Sequence, residues 1–168
     1  MPTIRTDIID VYVARAAPEQ ATGSASAFEL LQLLRASEPM AATWHPIMGH
    51  IEPGETAVAC AWREMEEEIG LLRDDTRLIG MWALGGVHPF FLAKSDEIVL
   101  SPRFAALVTG EFVPRLNEEH SEFRWVRSAE DFMWPGQREA VREAEGVLSA
   151  PDSAMARALK LPASFSPR

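Results

Sequence analysis

The chain has 168 residues, 47% hydrophobic and 24% charged, with a formal net charge of −9 and a single cysteine. That is the size and balance of one globular domain, here residues 1–168, with room for a substantial core. The charge argues against a nucleic-acid surface, which needs clustered Lys and Arg, though not against a phosphate ligand whose charge a divalent metal bridges.

One cysteine excludes an internal disulfide framework, and Cys60, inside a helical pattern, reads as a small packing residue. No apolar run approaches the ~20 residues that span a bilayer. The opening residues MPTIRTDIID lack the apolar segment of a signal peptide. No membrane partner is expected, and a cytoplasmic location is.

Residues 7–14 alternate, with Ile9, Val11 and Val13 on one side and Ile8 and Tyr12 on the other, which predicts a strand. Residues 16–27 are rich in Pro, Gly and Ser and read as a loop. Residues 28–35, FELLQLLR, are apolar on both sides, as in a strand covered on two faces; periodicity alone would equally allow a helix. Residues 44–48 read as a short strand. After residue 71, Asp74-Asp75 makes a turn, residues 77–84 a strand ending at Gly85-Gly86, and residues 87–94 another. Residues 98–109, interrupted by Pro102, give more strand, clearest over 104–108. RLNEEHS, residues 115–121, is a polar loop leading into a strand over 122–126. Residues 128–131 start a turn. Residues 136–148 form a helix with Ala140, Val141, Ala144, Val147 and Leu148 as its apolar face. The tail from residue 149 is expected to be poorly ordered at its end.

Chemistry concentrates in residues 49–71, GHIEPGETAVACAWREMEEEIGL. Val58, Ala61, Trp62, Met65 and Ile69 recur at three- and four-residue steps, the buried stripe of an amphipathic helix. Thr56 suits its N-cap and Gly70 a left-handed residue just past its end. At ~100° per residue, Glu64, Glu67 and Glu68 fall within an arc of about 100° on another side. Three carboxylates so placed raise one another's pKa unless a cation sits among them, and hard oxygen ligands suit Mg²⁺.

Gly49, Glu55, Arg63, Glu64, Met65, Glu67, Glu68, Gly70 and Leu71 resemble the signature of the Nudix hydrolase superfamily, G-x5-E-x7-R-E-U-x-E-E-x-G-U with U bulky and apolar, at every position. His50 stands where many members carry a second glycine, which reads as a variation of the substrate pocket. Downstream, Glu119-His120 and Trp125-Val126 are similar to an E-H…W segment of many such enzymes.

The resemblance implies an α/β Nudix fold, a mixed β-sheet sandwiched between helices (α/β/α), and Mg²⁺ as cofactor, with Mn²⁺ able to substitute. It implies Glu64, Glu67 and Glu68 as metal ligands, with the Gly49 carbonyl an additional one, and Glu55 and Arg63 as a pair that fixes the carboxylates. Glu119 is the first choice for general base, with neighbouring Glu118 and with Glu64 or Glu67 as competitors. Arg35, after a strand of the kind the fold carries there, reaches phosphate or is a solvated strand end. His120 either assists the leaving group or makes a structural hydrogen bond.

Substrate beyond the diphosphate needs aromatic and polar groups outside the signature: Trp44, His50, Trp82, His88, Phe90 and Phe91 are candidates, with ordinary core packing the competing reading for Trp44, Trp82, His88, Phe90 and Phe91 taken singly. The implied partner is a small diphosphate-containing molecule, a nucleoside or pterin polyphosphate, and homodimers are common among relatives. The spacing from Trp44 to Trp125 is similar to the dihydroneopterin triphosphate pyrophosphatase-like branch. A nucleotide-sugar pyrophosphatase of the ADP-ribose type and a non-catalytic nucleotide-binding regulatory domain are the alternatives.

Overall fold

The computed structural model describes residues 1–18, 26–38 and 40–162. In chain order its elements are β1 (Thr3–Arg5), β2 (Ile8–Ala16), β3 (Phe28–Arg35), β4 (Trp44–His45), β5 (Ile47–His50), α1 (Ala57–Ile69), β6 (Leu78–Ala83), β7 (Phe90–Leu92), β8 (Glu97–Val99), β9 (Arg103–Val108), β10 (His120–Val126), a 3₁₀ turn (Ala129–Asp131), α2 (Pro135–Ser149) and α3 (Ala154–Leu159). The main sheet is mixed, in the order β10-β3-β2-β9-β6, with β2 and β9 parallel and the other pairs antiparallel.

One feature of the sheet positions everything else. β2 and β3 pair only at Ala14–Leu30, Arg15–Glu29 and Ala16–Phe28, then diverge. The chain around Pro46 fills the resulting fork: β4 pairs with β3 at Leu33–His45 and Leu34–Trp44, and β5 pairs with β2 from Ile8–His50 to Val11–Ile47. Proline at the apex has no N–H to place in a ladder, so the strand breaks there and each half takes a different partner.

Strand alternation distributes the core to both faces. Ile9, Val11, Val13, Leu31 and Leu33 pack against Cys60, Ala61, Met65 and Ile69 of α1. Tyr12, Ala14, Leu30 and Ala105 pack against Ala140, Val141, Ala144 and Val147 of α2. The sheet is therefore sandwiched between helices. Thr56 caps α1 by accepting from the Ala59 N–H at 3.2 Å. Gly70, at φ 67°, ends it while its N–H and that of Leu71 donate back to Glu66 and Met65 carbonyls.

Several elements depart from the sequence expectations. The strand over 87–94 shrinks to Phe90–Leu92, because Pro89 removes a ladder donor just before it; β7 joins β8 and the unanticipated β1 in a separate three-stranded sheet. The first part of the tail holds an unanticipated helix, α3: Ser153 caps it, Lys160 bridges to Trp82, and the Leu161 N–H donates to the Met81 carbonyl at 2.8 Å, covering the outer edge of β6. Residues 163–168 lie outside the described residues, as do 19–25 of the expected loop, whose ends are closed by Ala17 N–H donating to Ala27 O at 2.9 Å. Among the described residues no helix is long and apolar enough to cross a membrane.

A buried ion pair ties the α2 side together. Arg103 and Asp10, each 3% exposed, meet at 3.3 Å. Tyr12 donates to Asp10, and Arg103 donates to the carbonyls of Gly136 and His88. Burial pushes the Asp10 carboxyl above its ordinary range, with Arg103 opposing. Arg103→Ala is expected to destabilise by about 3–5 kcal/mol in urea denaturation, because it leaves a buried carboxylate unpaired, whereas Asp10→Leu/Arg103→Met together should lose far less.

Candidate active site

Arg63, on α1, is the hub. Its Nε and Nη2 donate to the two oxygens of Glu55, both at 3.0 Å. Nη1 donates to Glu64 Oε1 at 2.7 Å and Glu67 Oε2 at 3.1 Å, and Nη2 also donates to the His50 carbonyl at 2.9 Å. The planar guanidinium matches carboxylates edge-on, so one side chain links the end of β5, the loop before α1 and the acidic arc of α1. These bonds hold the Glu55 carboxyl below its usual range; the backbone N–H of Glu52 adds to that. His50 contributes its backbone carbonyl to this network while its side chain is exposed.

Glu64 and Glu68 face inward, 9% and 2% exposed. Burial raises the Glu64 carboxyl, opposed by Arg63. Glu68 is raised well above the ordinary value, first by burial and then by the charges of Glu64 and Glu119. Its Oε2 is buried with no hydrogen-bond partner. Gly49 allows Glu64 its position: a Cβ on Gly49 would lie 2.2 Å from Glu64 Cγ and 2.3 Å from Oε1. Glu67 is half exposed.

Among the described residues, no three His, Cys, Asp or Glu side chains converge closely enough to cage an ion unaided. The three α1 glutamates share one arc, but Glu64 and Glu67 turn to the nearest cation in the chain, Arg63. The set nevertheless fits a hard divalent cation. A buried, partnerless carboxylate oxygen among other carboxylates is an unmet demand for positive charge, and carboxylate oxygen is the donor Mg²⁺ prefers.

A second group gathers where β3, β10 and α1 meet. Arg35, ending β3, has its guanidinium 3.6 Å from Glu119 Oε2, and its Nε is buried without an acceptor. His120, paired in register with Arg35, is buried with Nδ1 3.3 Å from Asn117 Oδ1. That Asn oxygen also accepts the Glu119 N–H at 3.1 Å, so the histidine proton sits on Nδ1 and Nε2 carries a lone pair. Burial, then the charges of His45 and Arg35, lower the His120 pKa to about 4. The 3.9 Å approach of His120 Nε2 to Glu68 Oε2 is thus no ion pair, since burial favours the neutral form of both. His45 packs edge-on against His120, ring centroids 5.5 Å apart. Sequence reading missed Asn117, although an Asn two residues before Glu119 is the signature of a side chain that caps a turn. Glu118 is exposed.

The remaining sequence candidates scatter. Trp44, in β4, is half-buried with Arg124 stacked on its ring at 4.4 Å. His88 is half-buried near the start of α2, its carbonyl held by Arg103. Trp82 is 1% exposed, a core residue beneath Lys160 at 5.3 Å, which leaves no ring face for a ligand and removes it from the substrate candidates. Phe90 and Phe91 are exposed on the small sheet.

Comparison with protein families matches residues 21–144, most of the chain, to the NUDIX domain. The chain belongs to the Nudix family. This Nudix chain is 32% identical over 106 residues to an octanoyltransferase of Myxococcus xanthus, covering 60% of this chain and 28% of that protein. It is 31% identical over 107 residues to an RNA pyrophosphohydrolase of Legionella pneumophila, covering 56% of this chain and 59% of that one. It thus spans less than two thirds of the length of either relative. Among solved structures, E. coli dihydroneopterin triphosphate pyrophosphohydrolase superposes with a TM-score of 0.63 at 19% identity, over 82% of this chain and 94% of that one, a likeness of fold.

Proposed function

We propose that this Nudix chain, as a single catalytic domain, is a Mg²⁺-dependent hydrolase that cleaves a phosphoanhydride bond in a nucleoside or pterin polyphosphate, with Mn²⁺ able to replace Mg²⁺. The observation that carries the reading is the partnerless Glu68 oxygen, buried among the charges of Glu64 and Glu119. Glu64, Glu67, Glu68 and the Gly49 carbonyl are assigned as ligands. When bound, the cation screens the phosphate oxygens, polarises phosphorus and makes a coordinated water more acidic.

The chain's own residues do the rest. Arg63 and Glu55 keep the carboxylates from drifting apart. Glu119 accepts a proton from the attacking water as its oxygen adds to phosphorus; the bridging P–O bond breaks, and the leaving phosphate keeps that electron pair. Arg35 binds a phosphate oxygen. Trp44 and His50, on the strand pair that carries Gly49, and His88 are assigned to the part of the substrate beyond the diphosphate.

Release of phosphate and pyrophosphate should be screened over nucleoside triphosphates, dinucleoside polyphosphates, nucleotide sugars, dihydroneopterin triphosphate and 5′-triphosphorylated RNA, with Mg²⁺ and Mn²⁺ compared. Cleavage of a small polyphosphate that stops on chelation is expected. Preference for ADP-ribose or for RNA would replace the substrate class. No turnover with any of them, together with a melting shift on nucleotide binding, would favour a regulatory binding domain. With the substrate so found, Glu119→Gln is expected to lower kcat by about 10²–10⁴-fold with little change in KM. An unchanged kcat moves the base elsewhere.

A further inference from the structure

Arg35 and Glu119 form a pair with one fixed and one loose end. The backbone of Glu119 is held on both sides: its carbonyl accepts from the Ala36 N–H at 2.8 Å, and its N–H donates to Asn117 Oδ1 at 3.1 Å. Its side chain is 52% exposed, and its only ion-pair contact among the described residues is the long 3.6 Å approach to Arg35. Arg35 is poorly satisfied as well, with Nε buried and lacking an acceptor. A guanidinium has five donors in a fixed fork, and one distant carboxylate oxygen uses little of it. A phosphate group, with more charge and several acceptor oxygens, is the better ligand for that fork and takes it bidentately.

We propose that Arg35 is a phosphate-operated gate on Glu119: without substrate the guanidinium holds the carboxylate, and an arriving phosphate takes the guanidinium and frees Glu119 to turn toward Glu64 and Glu68. The Glu119 backbone is pinned by its two hydrogen bonds, so the gate acts through the side chain. The gate rests on the cation site proposed above. It makes phosphate and divalent cation bind cooperatively, each favouring the arrangement the other needs. It also keeps the full set of carboxylates from assembling until there is a phosphate to attack.

Calorimetric titration of Mn²⁺ into the substrate-free protein, its Arg35→Gln and Glu119→Gln variants and the double variant tests this. Arg35→Gln is expected to bind Mn²⁺ at least about 5-fold more tightly than wild type, because Glu119 is released. In the Glu119→Gln background the same change should have no such effect. Arg35→Lys keeps the charge opposite Glu119 but not the fork, so it should bind Mn²⁺ as wild type does and show a raised KM. With a hydrolysed substrate, Arg35→Gln should raise KM and leave kcat near that of its parent in both the wild-type and Glu119→Gln backgrounds, because bound phosphate has already freed Glu119. Equal Mn²⁺ affinity in wild type and Arg35→Gln, or equal tightening in both backgrounds, overturns the gate and leaves the cation site standing. No Mn²⁺ binding by wild type overturns both.

Discussion

Glu68→Gln is expected to make the metal-free protein more stable and, at the same time, to remove its Mg²⁺-dependent turnover. Glu68 is 2% exposed, has an oxygen without a partner and lies among other glutamates. Burial raises its carboxyl well above 4.5, so the folded chain keeps a proton that the unfolded chain has released. Stability from such a group is complete below the ordinary value and is lost as pH rises toward the folded value. The glutamine variant has no charge to bury and escapes that loss. Its advantage over wild type should therefore be small near pH 5 and grow as pH rises, reaching about 1–3 kcal/mol in urea denaturation. His45 and His120 act in the opposite sense: burial lowers their pKa, so their contribution is lost as pH falls below 6.5. They are present in both proteins, and the difference isolates Glu68. Turnover should drop by at least about 10²-fold, as for a group that holds the catalytic cation. A residue kept at a cost to stability is the mark of a functional site. Lower stability of Glu68→Gln at pH 7.5 would instead make Glu68 a structural residue.

Gly49→Ala is expected to be nearly as damaging to catalysis through sterics alone. The added methyl would lie 2.2 Å from Glu64 Cγ, where no carbon can sit. Glu64 is bonded to Arg63 at 2.7 Å and is 9% exposed, so it has little room in which to yield. A displacement of about 1 Å in a positioned carboxylate lowers kcat by about 10²-fold, and the overpacking destabilises by about 1–3 kcal/mol. Gly110→Ala, where a Cβ meets nothing within 4 Å, is the control and should leave both quantities near wild type. Equal kcat for the two variants would mean that Glu64 does not need its present position.

The parts of this protein legible in its sequence are those set by local chemistry. The α1 stripe, the Thr56 cap and the Gly70 stop follow from side-chain periodicity and backbone preference, and they place three glutamates on one arc without knowledge of the tertiary fold. The fork between β2 and β3 is different in kind. It depends on which partner each half of residues 44–50 finds, and no pattern within that stretch encodes the choice. Trp82 reads as an available aromatic until the C-terminal segment is laid across it, a contact between residues far apart in the chain. Short α3 has too few turns to show a period. Asp10 and Arg103 lie 93 residues apart with no local pattern linking them, yet together they form the buried link between sheet and α2. The acidic arc was thus visible in the sequence, while the partners of each carboxylate, Arg63 above all, needed the fold.

The most direct test is to follow Mn²⁺ by electron paramagnetic resonance as it is titrated into wild type and into the Glu64→Gln/Glu67→Gln/Glu68→Gln variant, with circular dichroism confirming that the variant is folded. Saturable binding that Mg²⁺ displaces, present in wild type and lost in the variant, is the expected result. Equal binding by both proteins, or none by wild type, would contradict a divalent-cation site on α1.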